Sequence, residues 1–371
     1  MKYMVVNQRH ADAGDFLTKV DSQQPSWNVI YSQINDSKKR YFNSFKFVYN
    51  WLSQWPRNIP VCSSLLFKEG VCVGIVFFTE SKERVAKLLP VKTVHILRSG
   101  QDSVDQIWPE YVEPVLTVDK SEQDEAWAFW LNDIIRFTGA HQVYQHVSPK
   151  AHLLSTAANT SAFDCYIENE EPGAVCNLLG ELKFKSSIRR KVSQTERKLG
   201  IDGSHLKEAT SESDLNAIYD SIASWHQRKW QETETPSGFG NPVFYHSLRA
   251  QLQSSLKSEK GAPRARCFYV EKYGELLGST VLLEDREWTG FYLSAYKPYE
   301  HNHVHLGTWM HVMLIQKMKE QGQAEYDFMA GDERYKEHFA DWYNAHARGR
   351  WIVKGSMLSL IMKAKKMLNR V

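Results

Sequence analysis

The sequence predicts an α/β (α+β) fold built twice, with a mixed central sheet flanked by helices in each copy. Two stretches have the pattern of a β-hairpin, residues 63–78 (SSLLFKEGVCVGIVFF) and residues 266–283 (RCFYVEKYGELLGSTVLL). Each hairpin is followed along the chain by a helix and then a strand. The landmarks of the two copies are offset by about 180 to 200 residues, which indicates an internal duplication.

The hairpins are predicted from a turn between two runs of β-forming residues. Glu69-Gly70 forms the turn of the first copy, and Gly274 lies in the turn of the second. A glycine also stands early in the second strand of each hairpin, Gly74 in one copy and Gly278 in the other. The shared position supports the duplication.

The helices are EAWAFWLNDIIRFTG in the first copy and GTWMHVMLIQKMKEQG in the second. Apolar residues in both recur at three- and four-residue steps, as they do along one face of a helix. Trp127 and Trp309 lie near the two helix starts. Gly139 and Gly322 lie just past the two ends, where a left-handed cap is expected.

The join between the copies is predicted at NEEPGAVC, residues 169–176, because Pro and Gly interrupt regular structure. The chain of 371 residues is long enough for two domains. We therefore predict an N-terminal lobe at residues 1–175 and a C-terminal lobe at residues 176–371, the second ending in a basic helix.

The composition is that of an ordinary globular protein, with 42% hydrophobic and 24% charged residues. A net charge of +3 gives no indication of a DNA partner. The five cysteines are scattered without a C-x-x-C motif, which argues against a disulfide framework or a zinc knuckle. Neither a signal peptide nor a membrane-spanning run is predicted, so we expect a cytoplasmic protein.

Positive charge is concentrated in two predicted helices. Between Lys183 and Lys198 there are seven Lys or Arg residues and a single acid, Glu196. This helix is either a solvated face or a contact surface for an anionic ligand.

The second basic segment follows Asp341, after which there are seven Lys or Arg residues and no acid. One face of its helix carries the apolar residues Met357, Leu360, Ile361, Ala364, Leu368 and Val371. The other face carries Lys363, Lys366 and Arg370. Such a helix either docks on its own domain or makes a peripheral contact with an anionic membrane, which would be the inner membrane face.

The segment HNHVHLGTWM, residues 301–310, suggests an anion site. Its histidines do not assemble with acids or cysteines into a defined zinc ligand set, so we predict no metal. Gly307 and Thr308 open a helix directly after a strand. The free N–H groups and the helix dipole at such a point favour an anion such as phosphate.

The segment YDFMAGDERYKEHFA, residues 326–340, places Asp327 inside an otherwise apolar strand. This strand directly follows the predicted anion-binding helix, and ligands bind where strand ends lie beside a helix N-terminus. Asp327 is therefore predicted to act as a base or to position an amine. The alternative is a buried Asp that caps loop amides. Tyr335 and Lys336 begin a predicted helix; Tyr335 would protonate a leaving group and Lys336 would neutralise an oxyanion or phosphate. The alternative role of Tyr335 is that of an aromatic side chain packed in the core, and the alternative role of Lys336 is that of a surface charge.

Two further segments carry side chains suited to binding an acceptor. WHQRKWQE, residues 225–232, places Trp225 and Arg228 on neighbouring helical positions. The loop at residues 96–114 carries Arg98, Asp105, Trp108 and Glu110. Arginine, acids and tryptophan together can hold a sugar or a charged head group, and the alternative is a surface loop anchored by its tryptophan.

These segments together resemble the GNAT-type acyltransferases of the CelD/FemAB-like group, which accompany bacterial polysaccharide gene clusters. The resemblance runs from Leu182 to Trp342. Its most specific positions are Asp327, Phe328, Gly331, Tyr335 and Lys336. FemAB-like proteins are similarly built from two GNAT lobes, in agreement with the duplication.

The resemblance implies transfer of an acyl group from acetyl-CoA or another acyl-CoA to an amine or hydroxyl. The acceptor would be an amino sugar or glycan precursor of exopolysaccharide or cell-envelope biosynthesis. It implies a donor loop formed by His305, Gly307, Thr308 and Trp309.

The donor loop departs from the usual GNAT pattern Gln/Arg-x-x-Gly-x-Gly/Ala, which aligns with Asn302, His305 and Gly307. Only Gly307 fits, and His305 replaces a glycine whose bare backbone lets phosphate approach. Two alternatives therefore stay open. The donor would be aminoacyl-tRNA in a FemAB-like transferase, or the chain would be a non-catalytic double-GNAT module that binds a glycan or a partner protein.

Overall fold

The computed structural model describes residues 2–22, 26–85, 89–231, 236–298 and 304–368. The chain divides into two compact units. Unit 1 comprises Met1–Asn35, Phe42–Glu171 and Ala345–Val371, and unit 2 comprises Asp36–Tyr41 and Pro172–Asn344. The predicted lobes, 1–175 and 176–371, differ from these units chiefly at the last segment, which joins unit 1 rather than unit 2.

The strands, in chain order, are β1 (Tyr3–His10), β2 (Val61–Lys68), β3 (Val71–Val85), β4 (Leu89–Ile96), β5 (Val115–Leu116), β6 (Gln142–Pro149), β7 (Phe163–Asn177), β8 (Leu206–Glu208), β9 (Arg264–Lys272), β10 (Glu275–Asp285), β11 (Trp288–Tyr296), β12 (Glu325–Ala330) and β13 (Trp342–Val353). The α-helices are α1 (Ala13–Ser22), α2 (Trp27–Ser32), α3 (Phe45–Leu52), α4 (Asp102–Asp105), α5 (Gln123–Thr138), α6 (Lys150–Ala158), α7 (Ser186–Leu199), α8 (Glu212–Trp230), α9 (Pro242–Ser255), α10 (Leu306–Glu320) and α11 (Met357–Leu368).

The two units contain mixed sheets with the same order of strand types, which confirms the predicted fold class. In unit 1 the order is β1-β2-β3-β4-β6-β13, and β4 with β6 is its parallel pair. In unit 2 the order is β8-β9-β10-β11-β12-β7, and β11 with β12 is its parallel pair. The last strand of each sheet is not the neighbour of the others in chain order, since β13 is the last strand of the whole chain and β7 precedes β8.

The predicted hairpins are present as β2-β3 and β9-β10. Their two-residue turns have positive φ at both residues, Glu69 (51°) with Gly70 (84°) and Tyr273 (53°) with Gly274 (81°). This is the turn geometry that matches the twist of paired strands. Gly139 forms the predicted left-handed cap of α5, with φ 65°.

The core of unit 2 lies between its sheet and the helices α7 and α10. Its buried members include Ile188 of α7, Phe268 of β9, and Trp309 and Leu314 of α10. An uninterrupted apolar face therefore fixes α10 against the sheet, and the start of this helix is held in one place.

The predicted basic amphipathic helix is present as α11, but it docks on unit 1 through an unpredicted face. Leu358 is buried with Val91 and Ile352, and Met362 packs beside it. The predicted apolar face is left largely exposed. No helix in the described ranges is both long enough and apolar enough to cross a bilayer.

Candidate functional site

The candidate site begins where the parallel strands β11 and β12 stop pairing. Their ladder covers three positions and ends at Gly290 opposite Asp327, although β11 continues to Tyr296. Beyond that point β12 also shifts its register against β7, between Asp327 and Ala330. We call the opening between the C-terminal parts of β11 and β12 the fork of unit 2.

A cleft of about 410 Å³ lies at this fork. It is lined by Lys229, Ser294, Tyr296, Lys297, Val304, His305, Leu306, Gly307, Thr308, His311 and Tyr335. None of these lining residues carries a carboxylate, and several present N–H groups or cations. The cleft is therefore suited to an anionic or strongly polar ligand.

The first turn of α10 forms one wall of the cleft. The His305 side chain makes no cap hydrogen bond, and no acid lies in the first turn. Because the first amides of a helix lack intrahelical partners, an uncapped turn presents N–H donors to the cleft. His305 has φ −112° and ψ 55°, so the residue that replaces the expected glycine sits in a backbone conformation that does not demand one.

The ring of Tyr296 supports this turn from below. A Cβ on Gly307 would lie 3.1 Å from the Tyr296 hydroxyl, and a Cβ on Gly278 would lie 2.6 Å from its ring. The two glycines thus leave the space that the tyrosine fills. The Tyr296 hydroxyl is buried and has no partner at good hydrogen-bond geometry. Burial raises the pKa of Tyr296, and the nearby hydroxyls of Ser294 and Thr280 reduce this rise.

Two stacked rings, His311 and Tyr335, form another part of the lining. Their centroids are 5.5 Å apart and their planes differ by 18°. His311 Nδ1 is hydrogen-bonded to the Tyr326 hydroxyl at 3.1 Å. Burial, reinforced by the positive charge of Lys336, lowers the pKa of His311 to about 3. The imidazole is therefore neutral near pH 7, and Tyr335, whose pKa burial raises, keeps its phenolic proton.

Lys336 holds the loop that carries Tyr335. Its Nζ donates to the Ala330 carbonyl at 2.8 Å and pairs with the Glu333 carboxylate at 2.8 Å. It is buried, and it does not line the cleft. The helix predicted from Tyr335 is only a short 3₁₀ turn, Lys336–His338, because the chain soon enters β13.

Asp327 is fully buried within unit 2 and does not line the cleft. Its carboxylate accepts from Trp288 Nε1 at 3.0 Å and from the Met329 N–H at 2.7 Å. Met329 has φ 62°, a costly left-handed conformation for a residue other than glycine. Asp327 thus stabilises the irregular turn at which β12 leaves its regular ladder.

Helix α7 packs against the start of α10 through Thr195 and Glu196. The His305 N–H donates to Thr195 Oγ1 at 2.9 Å, and Trp309 Nε1 donates to Glu196 at 3.2 Å. Trp309 is fully buried and so supports the helix instead of lining the cleft. The exposed cations of the segment are Lys183, Lys185, Arg189, Arg190, Arg197 and Lys198.

The predicted acceptor residues of α8 lie near the end of that helix. Trp225 is half-buried and Arg228 is exposed, and neither lines the cleft. Their neighbour Lys229, which the sequence places on the same segment, is the residue of α8 that does line it.

The predicted acceptor residues of the first lobe are in unit 1. Arg98 is buried and donates to the Asp105 carbonyl at 3.1 Å. The Asp105 carboxylate accepts the N–H groups of Ser99 and Gly100, both at 2.9 Å. These two residues therefore build their own loop. Trp108 is 38% exposed, whereas Glu110 is half-buried.

The histidine segment is only partly described, since His301, His303 and Asn302 lie outside the described residues. Within the described ranges, no group of three His, Cys, Asp or Glu residues is arranged to hold a metal.

Sequence reasoning missed Tyr296 and Ser294 as lining residues. Both lie on β11 with alternate spacing, directly before the segment that leads to the predicted anion-binding turn. This alternation is the signal that could have identified them, because alternate residues of a strand share a face.

Comparison with protein families gives a match over residues 183–337 to the model described as the acetyltransferase (GNAT) domain. The matched segment contains the whole fork of unit 2 and its cleft, from α7 through Lys336. A search of curated proteins found no match.

Solved structures show the same fold over nearly the whole chain. FemX has a TM-score of 0.57 at 11% identity, covering 97% of this chain and all of FemX. A conserved protein of unknown function from Bacteroides thetaiotaomicron has a TM-score of 0.55 at 10% identity, covering 91% of this chain and 97% of its own.

The C-terminal domain of a putative lysylphosphatidylglycerol synthetase from Agrobacterium fabrum has a TM-score of 0.54 at 11% identity, covering 95% of this chain and 97% of that domain. At such low identities these likenesses show the fold alone. Residues 183–337 therefore match a GNAT acetyltransferase domain, and the chain shares the fold of these solved structures.

Proposed function

We propose that this protein transfers an acyl group from acyl-CoA to an amine or hydroxyl of a sugar or glycan precursor. The observation that carries the proposal is the cleft at the fork of unit 2, which combines the uncapped first turn of α10 with a lining that has no carboxylate among the described residues. The resemblance to polysaccharide-associated acyltransferases supports the choice of acceptor.

The residues of the cleft fit a coenzyme A donor. The amide N–H groups of Leu306, Gly307 and Thr308 would donate hydrogen bonds to the pyrophosphate oxygens at the start of α10. Lys229 would add a positive charge at the rim. Beyond Gly290, β11 has no ladder partner on β12, so an extended chain with amide groups could run along this free edge.

The chemistry follows from the groups present. The acceptor nitrogen or oxygen attacks the thioester carbonyl carbon, the C–S bond then breaks, and the leaving thiolate needs a proton. We assign that proton to the Tyr335 hydroxyl, since Tyr335 lines the cleft and remains protonated near neutral pH. Since no described lining residue carries a carboxylate, the acceptor would lose its own proton to water, and water would return a proton to Tyr335.

The remaining predicted site residues receive supporting roles in this proposal. Asp327 and Lys336 would hold β12 and the loop that presents Tyr335, because both are buried and engaged in hydrogen bonds. Trp309 would anchor α10. Trp225 and Arg228 would meet the acceptor at the end of α8, next to Lys229.

Calorimetric titration with coenzyme A and acetyl-CoA, in low and in moderate salt, tests the donor. We expect saturable one-to-one binding in the micromolar range, as is common for enzyme substrates. Absence of binding at both salt concentrations would refute the acyl-CoA proposal.

A second candidate donor is aminoacyl-tRNA, and the exposed cations of α7 favour it. A surface that neutralises several phosphates binds RNA with a steep salt dependence. The likeness to a domain of a putative lysylphosphatidylglycerol synthetase, a protein whose name indicates a lysyl group joined to a lipid, is compatible with aminoacyl transfer. Salt-sensitive binding of charged tRNA without coenzyme A binding would select this candidate.

A further inference from the structure

Helix α11 packs on unit 1 through a face that carries Leu358 together with polar residues. Leu358 is buried against Val91 and Ile352. The Ser359 hydroxyl donates to the Asp164 carboxylate, and Lys363 Nζ pairs with the same carboxylate at 2.8 Å. One acid of unit 1 thus fixes two successive turns of the helix and sets its rotation about its own axis.

This rotation turns the apolar stripe of the helix away from unit 1. The stripe consists of Met357, Leu360, Ile361, Ala364, Met367 and Leu368. At 100° per residue these residues fall within a sector of about 120° and so share one helical face. The exposed fractions are 65% for Met357, 61% for Leu360, 72% for Met367 and 76% for Leu368. Large apolar side chains clustered on one exposed face mark an interaction surface.

Lysines border the stripe on both sides. At 100° per residue, Lys365 follows Ile361 around the helix on one side, and Lys363 precedes Met367 on the other. Lys354 lies just before the helix, close enough to act electrostatically on Asp164. From Trp342 to the last residue the sequence has seven Lys or Arg residues and no acid. Lys363 and Arg350 are paired with acids, but Lys365 and Lys366 are exposed, so the surface beside the stripe carries positive charge.

We propose that α11 binds the surface of an anionic membrane. Its apolar stripe would enter the boundary between head groups and acyl chains, and the bordering lysines would extend along the helix to the lipid phosphates. The helix has 12 residues, too few to span a bilayer, so it lies in the plane of the interface.

The charge of this surface selects a membrane over a second copy of the chain. Pairing two α11 stripes would bring two lysine borders together, and like charges at an interface oppose association. Anionic lipid supplies the complementary charge and the apolar layer at once.

Vesicle sedimentation of the full chain tests the proposal. The vesicles would contain phosphatidylcholine alone, or phosphatidylcholine with about 30% phosphatidylglycerol, each in low and in high salt. We expect binding to the anionic vesicles to be about tenfold tighter or more, and to weaken in high salt.

Two variants and a matched control locate the contact. The double variant Leu360→Asp/Met367→Asp should abolish vesicle binding, and Lys365→Glu should weaken binding to anionic vesicles about fivefold or more. All three positions are exposed, so circular dichroism and the melting temperature should stay unchanged. Leu179→Asp, at a leucine that is 77% exposed in unit 2, should bind as the unmodified protein does.

Three outcomes would overturn the proposal. The first is a failure of the unmodified protein to sediment with anionic vesicles, and the second is full binding by the double variant. The third is a concentration-dependent dimer, seen by light scattering without vesicle binding and lost in the double variant, which would assign the stripe to self-association. Equal binding to neutral and anionic vesicles would contradict the role of the lysines.

Discussion

The fork of unit 2 and the corresponding place in unit 1 are built from equivalent strands. They differ in whether a loop of the chain occupies the space between those strands. In unit 1 the parallel ladder of β4 and β6 ends with Ile96 opposite Gln145. The loop before α5 then returns to this point, where the Val112 N–H donates to the Val147 carbonyl at 3.0 Å. Ser148 Oγ and Gln145 Nε2 both donate to the Val112 carbonyl, at 2.6 and 3.2 Å. Unit 1 therefore fills with its own chain the place that unit 2 leaves as a cleft.

The first turns of the equivalent helices α5 and α10 also differ in charge. The first turn of α5 carries Asp124 and Glu125, and Asp124 accepts from Ser155 Oγ at 2.8 Å. The first turn of α10 has no acid. Because a helix N-terminus attracts negative charge, α5 satisfies that preference with its own side chains, whereas the first turn of α10 has no acidic side chain that could do so.

The glycine shared by both hairpins shows the same divergence. A Cβ on Gly74 would lie 2.8 Å from Trp130 of α5, whereas a Cβ on Gly278 would lie 2.6 Å from Tyr296 of β11 and 3.0 Å from Leu306 of α10. The duplicated plan thus supports a closed copy in unit 1 and an open copy in unit 2. The comparison teaches that two copies of one fold can differ in whether this place is filled by the chain or left open as a cleft.

The largest expected effect tests whether the chemistry belongs to the open fork. Tyr335→Phe should lower turnover about 100-fold or more without changing donor affinity, because the variant loses the proton for the leaving thiolate. Thiol release from acetyl-CoA in the presence of acceptor measures turnover, and calorimetry measures affinity. Tyr296→Phe is the control, since its hydroxyl is buried; a greater loss there than in Tyr335→Phe would refute the assignment.

The second-largest effect concerns a strand position that carries a different residue in each of the two copies. Counted from Gly322 and Gly139, Asp327 in unit 2 and Tyr144 in unit 1 stand at the same offset. Asp327→Asn should lower the free energy of unfolding by about 2 kcal/mol, because an amide cannot accept both N–H groups that the carboxylate accepts.

Denaturant titration measures this change, and Tyr144→Phe, which loses one hydrogen bond to Glu168, should cost about 1 kcal/mol. If Asp327→Asn abolished turnover while leaving stability unchanged, Asp327 would be the base that the sequence suggests.

The acid sensitivity of unit 2 provides a third test. The pKa of His311 is about 3 in the folded protein, against 6.5 for the free side chain. Between these values the unfolded chain binds more protons, so the stability contributed by neutral His311 is complete above pH 6.5 and is lost as the pH falls towards 3. At pH 5 the loss should be about 2 kcal/mol relative to pH 7.

Denaturant titration at the two pH values checks this, with His311→Phe as the comparison. That variant should lose correspondingly less stability between pH 7 and pH 5. An unchanged difference between the two pH values would show that the imidazole is not held neutral by burial.

The smallest expected effect comes from a substitution that makes the start of α10 acidic, as the start of α5 is. Thr308→Glu should weaken coenzyme A binding about tenfold, because a carboxylate in the first turn repels the phosphates and competes for the amides. Thr308→Gln, of the same size and without charge, is the matched control and should bind nearly as the unmodified protein does. Equal affinities of the two variants would place the phosphates elsewhere.

The sequence predicted well those features that depend on local pattern. Turn chemistry at Glu69-Gly70 identified a hairpin, and the glycine cap at Gly139 identified the end of α5. Both are confirmed, because a turn or a cap is determined by the conformational range of one or two residues. The order of such landmarks was enough to reveal the duplicated α/β plan.

Features that depend on distant pairing could not be predicted in the same way. The assignment of residues 345–371 to unit 1 follows from the pairing of β13 with β6, and a sequence pattern does not specify which distant strand supplies the partner. The exposed face of α11 is a similar case. Its helical pattern was evident, but the contacts of Leu358 and Asp164 determine its rotation.

The sequence by itself determined the two hairpins, the two repeated helices, the repeat, the anion-favouring start of α10 and the polar residues of the segment after β12. Only the tertiary structure decided which of those residues reach the cleft. It brought Tyr335 to the lining through a stack on His311, and it enclosed Asp327 beneath the strand surface. The physical reason is that burial and the direction of a side chain depend on packing between residues far apart in the chain, whereas propensity and capping act within a single turn.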